Sequence, residues 1–276
     1  MTSSNRERFR AAAAEERPDL ALLCLLIAAE ADPSGGERRI DEAQIELDRL
    51  AGMLPAGLRG AREWAEAVRE LLGERCGFHG TAADYRRLES SLLPCVLERR
   101  RGLPILLSVV WTEVARRAGG PVHGVALPGH YVVGFGDPAG EQVLADPFGG
   151  GRLLAPGDAE VLVAGATGRR AEVSAPLLRP ADPLSTVLRV LNNIRSWAAP
   201  RPEHSGVQLW ALELSLLLPH HPVHLRLERA QLLVERGDFL RGARSLEEYA
   251  EAMAGMQPST AEAARREARA ARARLN

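Results

Sequence analysis

At 276 residues the chain has room for one large domain or two modest ones, and 46% hydrophobic residues supply a core that excludes disorder over most of the length. With only 4% aromatic residues, that core must come mainly from Leu, Val and Ala. Lys plus Arg (35) balances Asp plus Glu (36), so no global field draws in nucleic acid or an anionic membrane; three cysteines without a C-x-x-C speak against a disulfide framework or a structural zinc, and no cofactor is expected.

Residues 1–16 are polar and Ala-rich and are expected to be a flexible arm. Pro18 and Asp19 open a helix to about residue 31, apolar on most sides and stopped by Asp32-Pro33-Ser34-Gly35-Gly36. Its apolar run, 20–29, is too short to span a bilayer. Glu15, Glu16 and Asp19 spoil the basic segment of a signal peptide, and Leu23 before Cys24 is too large for a lipoprotein cleavage site. A cytoplasmic location is therefore expected. Helices follow at about 40–54 and 61–73, then a turn over residues 76–80, and a mostly helical 84–98 broken at Pro94.

After Arg101-Gly102-Leu103, Pro104 fits the first position of a new helix. Residues 105–111 are apolar on nearly every side, which predicts a buried helix rather than an amphipathic one. Gly119-Gly120-Pro121 ends it. Three β-type runs follow at 122–127, 131–135 and 142–145, with Asp137-Pro138-Ala139-Gly140 as a turn. The middle of the chain is thus α+β. Residues 176–183 read as a linker, and helices return at about 184–198, 207–218, 222–236, 239–254 and 260–275. Small and leucine residues flank Gly237-Asp238 as in a tetratricopeptide helix hairpin. One or two such repeats bury too little surface alone, so the tail is expected to lean on the core.

Two residues of catalytic type fall in the strand section. His130 opens one strand, and Asp146 closes the next; adjacent antiparallel strands can bring them together, the carboxylate orienting the imidazole. A nucleophile would sit at a helix N-terminus, where the dipole favours a thiolate, but the helix start available is Pro104. Two readings of the pair stay open: a functional couple, or a structural histidine that clamps two strands. Cys95 reads as a small buried hydrophobe, and Ser108 as a serine bonded to a carbonyl four residues back. The run Arg99 to Arg101 is either an anion site or a solvated face.

Four motifs in order carry a resemblance: residues 96–105 (VLERRRGLPI), 113–117 (EVARR), 127–131 (LPGHY) and 146–154 (DPFGGGRLL). The chain resembles the SirB-type family, often labelled regulators of SirC expression, over residues 20–255 and most densely over 84–154. The resemblance implies a transglutaminase-like core of the papain-like superfamily, with N-terminal helices and a C-terminal tetratricopeptide-like tail. The implied divisions are 1–16, 17–178 and 179–276. It places Arg99, Arg101, Gly102, Pro104, Gly129, Tyr131, Phe148 and Arg152 at the site beside His130 and Asp146. In the wider superfamily a cysteine starts a helix about fifteen positions before a Gly-x-Pro; counting back from Gly119 reaches Pro104. The chain departs from the pattern at Tyr131, where Phe is common, at the lengthened Gly150-Gly151, and at Pro94-Cys95. Two functions are therefore expected to compete: a non-catalytic regulatory or adaptor protein with a protein or peptide partner, and a hydrolase or amide-transfer enzyme using His130 and Asp146 with another nucleophile.

Overall fold

The computed structural model describes residues 2–169 and 172–274. Its first element corrects the expectation of a flexible arm. Thr2–Ala13 is a helix (α1) whose Phe9, Ala12 and Ala13 are buried against the next helix, α2 (Leu20–Ala31). Asn5 donates to Leu26 O at 3.2 Å, and Arg6 pairs with the buried Glu30 at 2.6 Å. The polar composition of the segment hid one apolar stripe, and that stripe, with one buried ion pair, docks the helix. Asp19 caps α2, its carboxylate accepting from Leu22 N at 2.9 Å.

Helix α3 (Gly36–Ala51) is amphipathic. Helix α4 (Gly60–Val68) widens into a π-helical segment, Arg69–Arg75. The expected helix over 84–98 is instead two 3-10 turns, Ala82–Arg86 and Leu88–Ser91, and then α5 (Leu93–Arg99). Pro94 opens α5 rather than breaking a helix, because a first-turn residue has no intrahelical N–H bond to lose. Helix α6 (Pro104–Arg117) starts at Pro104 after an extended Leu103, and Trp111, fully buried, lies at its middle.

The sheet is antiparallel in the order β1 (Val122–Val125), β2 (Val132–Gly136), β3 (Gln142–Asp146), β4 (Arg152–Leu153). One face, with Tyr131, Val133, Phe135 and Ala145, joins the main core with α6. The other, with Val125, Leu127 and Val132, is covered by Ala159 and Val163 of α7 (Asp158–Thr167), a helix the sequence reading passed over. The segment read as a linker holds a 3-10 turn, Ala175–Leu178, before α8 (Pro183–Ala198).

The chain ends in α9 (Ser205–Ser215), α10 (His224–Glu235), α11 (Phe239–Met253) and α12 (Pro258–Ala273). Val187, Val190, Leu191 and Ile194 of α8, with Ala211 and Leu214 of α9, share the main core with α2 and α6. Helices α11 and α12 form a separate cluster with Ala230 of α10. Among the described residues no helix is long and apolar enough to cross a membrane.

Candidate functional site

The β2–β3 register pairs Val133 with Ala145, so the residue ending β3 and the turn entering β2 lie at one end of the sheet. There His130 Nε2 lies 2.9 Å from Asp146 Oδ1, both side chains buried at 8% and 4% residue exposure. A carboxylate only accepts, so the contact places the imidazole proton on Nε2. Asp146 Oδ1 also accepts from Phe148 N at 3.1 Å, capping the 3-10 turn Pro147–Gly149. That leaves Nδ1 as the histidine nitrogen for any further partner. Among the described residues no thiol or hydroxyl is bonded to His130.

Phe148 continues the site. Its ring meets His130 edge-on at 6.0 Å and Tyr85 at 6.0 Å. Gly80 makes room: a Cβ there would fall 2.1 Å from the Phe148 ring and 2.7 Å from Gly102 O. Tyr85 is 51% exposed, and partial burial, then the charge of Asp146, raise its phenol above the ordinary value. The π-helical segment comes close from the other side, for a Cβ on Gly73 would lie 2.0 Å from Gly150 O.

The remaining expected site residues divide. Gly129 takes φ +69 in the turn before His130, a conformation that favours glycine. Tyr131 is buried; its hydroxyl shares a 2.9 Å hydrogen bond with Thr186 Oγ1, and burial is the main force raising its phenol. Pro104 is buried at the start of α6, which packs on β2 and on the Pro147–Gly149 turn. Gly102 lies against Val96, where a Cβ would come within 2.7 Å of Cγ2.

The arginines turn elsewhere. Arg101 Nη2 donates to Thr81 Oγ1 at 2.8 Å and to Asp84 Oδ2 at 3.1 Å, and Arg99 lies 3.7 Å from Asp84 Oδ1. Burial pulls the Asp84 carboxyl up, but bonds from the Thr81 side chain and amide and from Arg101 outweigh it and hold the group below its usual value. Arg99 and Arg101 are thus the counter-ions of a buried carboxylate, which corrects both earlier readings, the anion site and the solvated face. Arg100, at φ 56, donates to Cys76 O at 2.8 Å. Arg152 faces Asp146 through the strand register, yet its guanidinium goes to Asp158 at 2.7 Å.

Nor do the candidate nucleophiles reach the pair. Ser108 is fully buried and donates to Tyr131 O at 3.3 Å rather than to its own helix, because β2 crosses α6 there. All three cysteines are buried and unpaired. Burial pushes the Cys24 thiol far up, and it also raises Cys95 although Arg39 opposes it. The residues missed in the sequence, Gly80, Asp84, Tyr85, Thr186 and Arg189, lie outside the four motifs that carry the resemblance; only the Thr-x-x-Asp at 81–84, a capping-box spacing, could have drawn attention to one.

A family description, "Transglutaminase-like superfamily", matches residues 41–192, and a tetratricopeptide repeat description matches residues 194–276. The chain is 33% identical over 201 residues to a UPF0162 protein of Xylella fastidiosa, covering 70% of this chain and 68% of the relative. A UPF0162 protein of Pseudomonas aeruginosa is 34% identical over 185 residues, 66% of each chain. Human F-box only protein 21 is 26% identical over 181 residues, 62% of this chain but only 28% of that protein. With the α+β core, the tetratricopeptide tail and these matches in hand, the chain belongs to the transglutaminase-like superfamily and, within it, to the UPF0162 proteins.

Proposed function

We propose that this protein is a non-catalytic regulatory or adaptor protein of the SirB type. In this reading the degenerate transglutaminase-like core and the tetratricopeptide tail engage a protein or peptide partner, and Gly102, Gly129, Tyr131 and Phe148 shape the site around His130 and Asp146. The observation that carries the reading is Pro104. Proline at the helix start offers neither a thiol nor an N–H, which removes the attacking atom and one oxyanion donor together. The burial of Cys24, Cys76 and Cys95 adds support. A cleft of about 640 Å³ between α1 and the tail, with Arg6, Arg229, Leu216 and Leu217 on its walls, offers room for a segment of partner.

The test compares the wild-type chain with a variant in which all three cysteines are replaced and with His130→Ala. Thiol labelling, amine incorporation and peptide hydrolysis are expected to show no turnover in any of them, and capture of a partner from the native host is expected from the wild type. Turnover lost with the cysteines would sink the proposal. A second reading, a hydrolase with a water or hydroxyl nucleophile, is favoured by one observation, the buried His130–Asp146 bond with Nδ1 left over. Turnover that survives without cysteine and disappears in His130→Ala would establish it.

A further inference from the structure

Arg189 lies on α8, the helix within which the transglutaminase-like match ends, at residue 192, and the tetratricopeptide match begins, at residue 194. Its partly buried guanidinium has no carboxylate partner among the described residues. Nη2 donates instead to two carbonyls, Leu127 O and His130 O, each at 3.0 Å, and the guanidinium carbon stands 5.5 Å from the centre of the Tyr131 ring. Burial lowers its pKa from the ordinary value. A cation taken from water without a counter-ion is costly, and carbonyl bonds and a ring face offset only part of that cost. The place where the fold keeps this arrangement is the turn that presents His130.

That turn runs from Leu127 to His130. Pro128 stands second, Gly129 stands third with φ +69, and His130 N donates to Leu127 O at 3.3 Å, as in a type II turn. Arg189 ties the same two ends from outside. Thr186, one helical turn earlier, bonds the Tyr131 hydroxyl. Trp197, about two turns later, donates Nε1 to Arg86 O at 2.9 Å, next to Tyr85, whose ring rests on Phe148 and so on His130. One helix therefore reaches the His130 turn, the Tyr131 hydroxyl and the backbone next to Tyr85. Helix α9 packs along α8, so the tail is mechanically continuous with these contacts.

We infer that Arg189 is the positioning residue for His130, tying the His130 turn to the helix in which the two family matches meet. The inference rests on the reading of that pair as the functional site, but not on the identity of any partner. The experiment is nitrogen NMR of isotope-labelled histidine in the full chain, with His130 identified by the loss of its signal in His130→Gln, together with amide hydrogen exchange. The wild type is expected to show the Nε2–H tautomer. Arg189→Met is expected to lower that population by about twofold or more. It is also expected to quicken exchange at His130 and Tyr131 by about tenfold, while amides of α11 keep their rates. Arg189→Lys keeps the charge but lacks the fork that spans two carbonyls, so it should fall between. If Arg189→Met does not fold, Arg189→Lys decides by the same two readouts. An unchanged His130 tautomer in a folded variant overturns the inference, and so does exchange that quickens equally in α11, the mark of a merely structural residue. Failure to capture a partner leaves both readouts in place and counts against the binding reading alone.

Discussion

The core around His130 and the outer tail helices pack in opposite ways. Near the site, large side chains fill space: Trp111 meets Phe78 edge-on at 5.9 Å, with Phe135, Leu106 and Leu107 fully or nearly fully buried around them. Among the described residues of the α10–α12 cluster, seven buried alanines (Ala230, Ala243, Ala250, Ala261, Ala264, Ala268 and Ala271) accompany buried Leu246, Tyr249 and Met253, with Leu227 and Val234 partly buried against them. Small side chains let helix backbones approach, but each removes little apolar area from water. Gly242 marks a close approach of α11 to α10, since a Cβ there would lie 2.5 Å from Val234 Cγ2 and 3.0 Å from Val234 N. The bulky core can hold costly polar features, including the buried His130–Asp146 bond and a Trp111 indole N–H without a partner among the described residues. The tail has no such reserve, which accounts for α9 leaning on the core through Ala211 and Leu214.

The largest expected effect tests the bulk of the core. Trp111→Ala should cost about 3–5 kcal/mol, read as a lower urea midpoint at unchanged slope, because the cavity opens where α6, α4 and the sheet meet. A cost below about 1 kcal/mol would mean that this core collapses as readily as the alanine cluster.

Asp84→Asn is next, at about 2–3 kcal/mol, because Arg99 and Arg101 lose the anion they are folded around. Its pH dependence has a defined sign. The folded carboxyl titrates below its unfolded value, so the unfolded state binds more protons in acid. The contribution is present above about pH 4 and is lost as pH falls through the folded value. Acid titration of stability should therefore be flatter in Asp84→Asn than in the wild type, and identical slopes would remove Asp84 from the account.

In the tail, Gly242→Val should cost about 1–3 kcal/mol by forcing α10 and α11 apart. Hydrogen exchange should quicken in α10 and α11 and stay unchanged in α6 and β2. Equal quickening in both regions would erase the distinction between them. The smallest effect belongs to Pro104→Ala. A residue at the first helical position keeps its geometry, so the change is confined to unfolded-state entropy and the ring atoms lost from a buried place, about 1–2 kcal/mol in a thermal melt.

Most of the helices and the three longer strands were legible because their periodicity and punctuation are local: Pro104 and Asp19 open helices, and Gly119-Gly120-Pro121 closes one. Helix α1 and the segment 82–99 were not. Phe9 reads as a lone apolar residue until α2 covers it, and Pro94 cannot be told from a helix breaker until Leu92 is seen extended before it.

The sequence by itself determined the α+β plan, the order of His130 and Asp146, and the proline at the helix start, since each follows from residue type and spacing along the chain. Only the tertiary structure decided what those residues touch. It turned Arg99 and Arg101 to Asp84, sent Ser108 to Tyr131 O, and brought Arg189 across about sixty residues of chain to the His130 turn. The reason is physical: a buried charge or hydroxyl takes whichever partner packing brings within about 3 Å, and sequence separation says nothing about that distance.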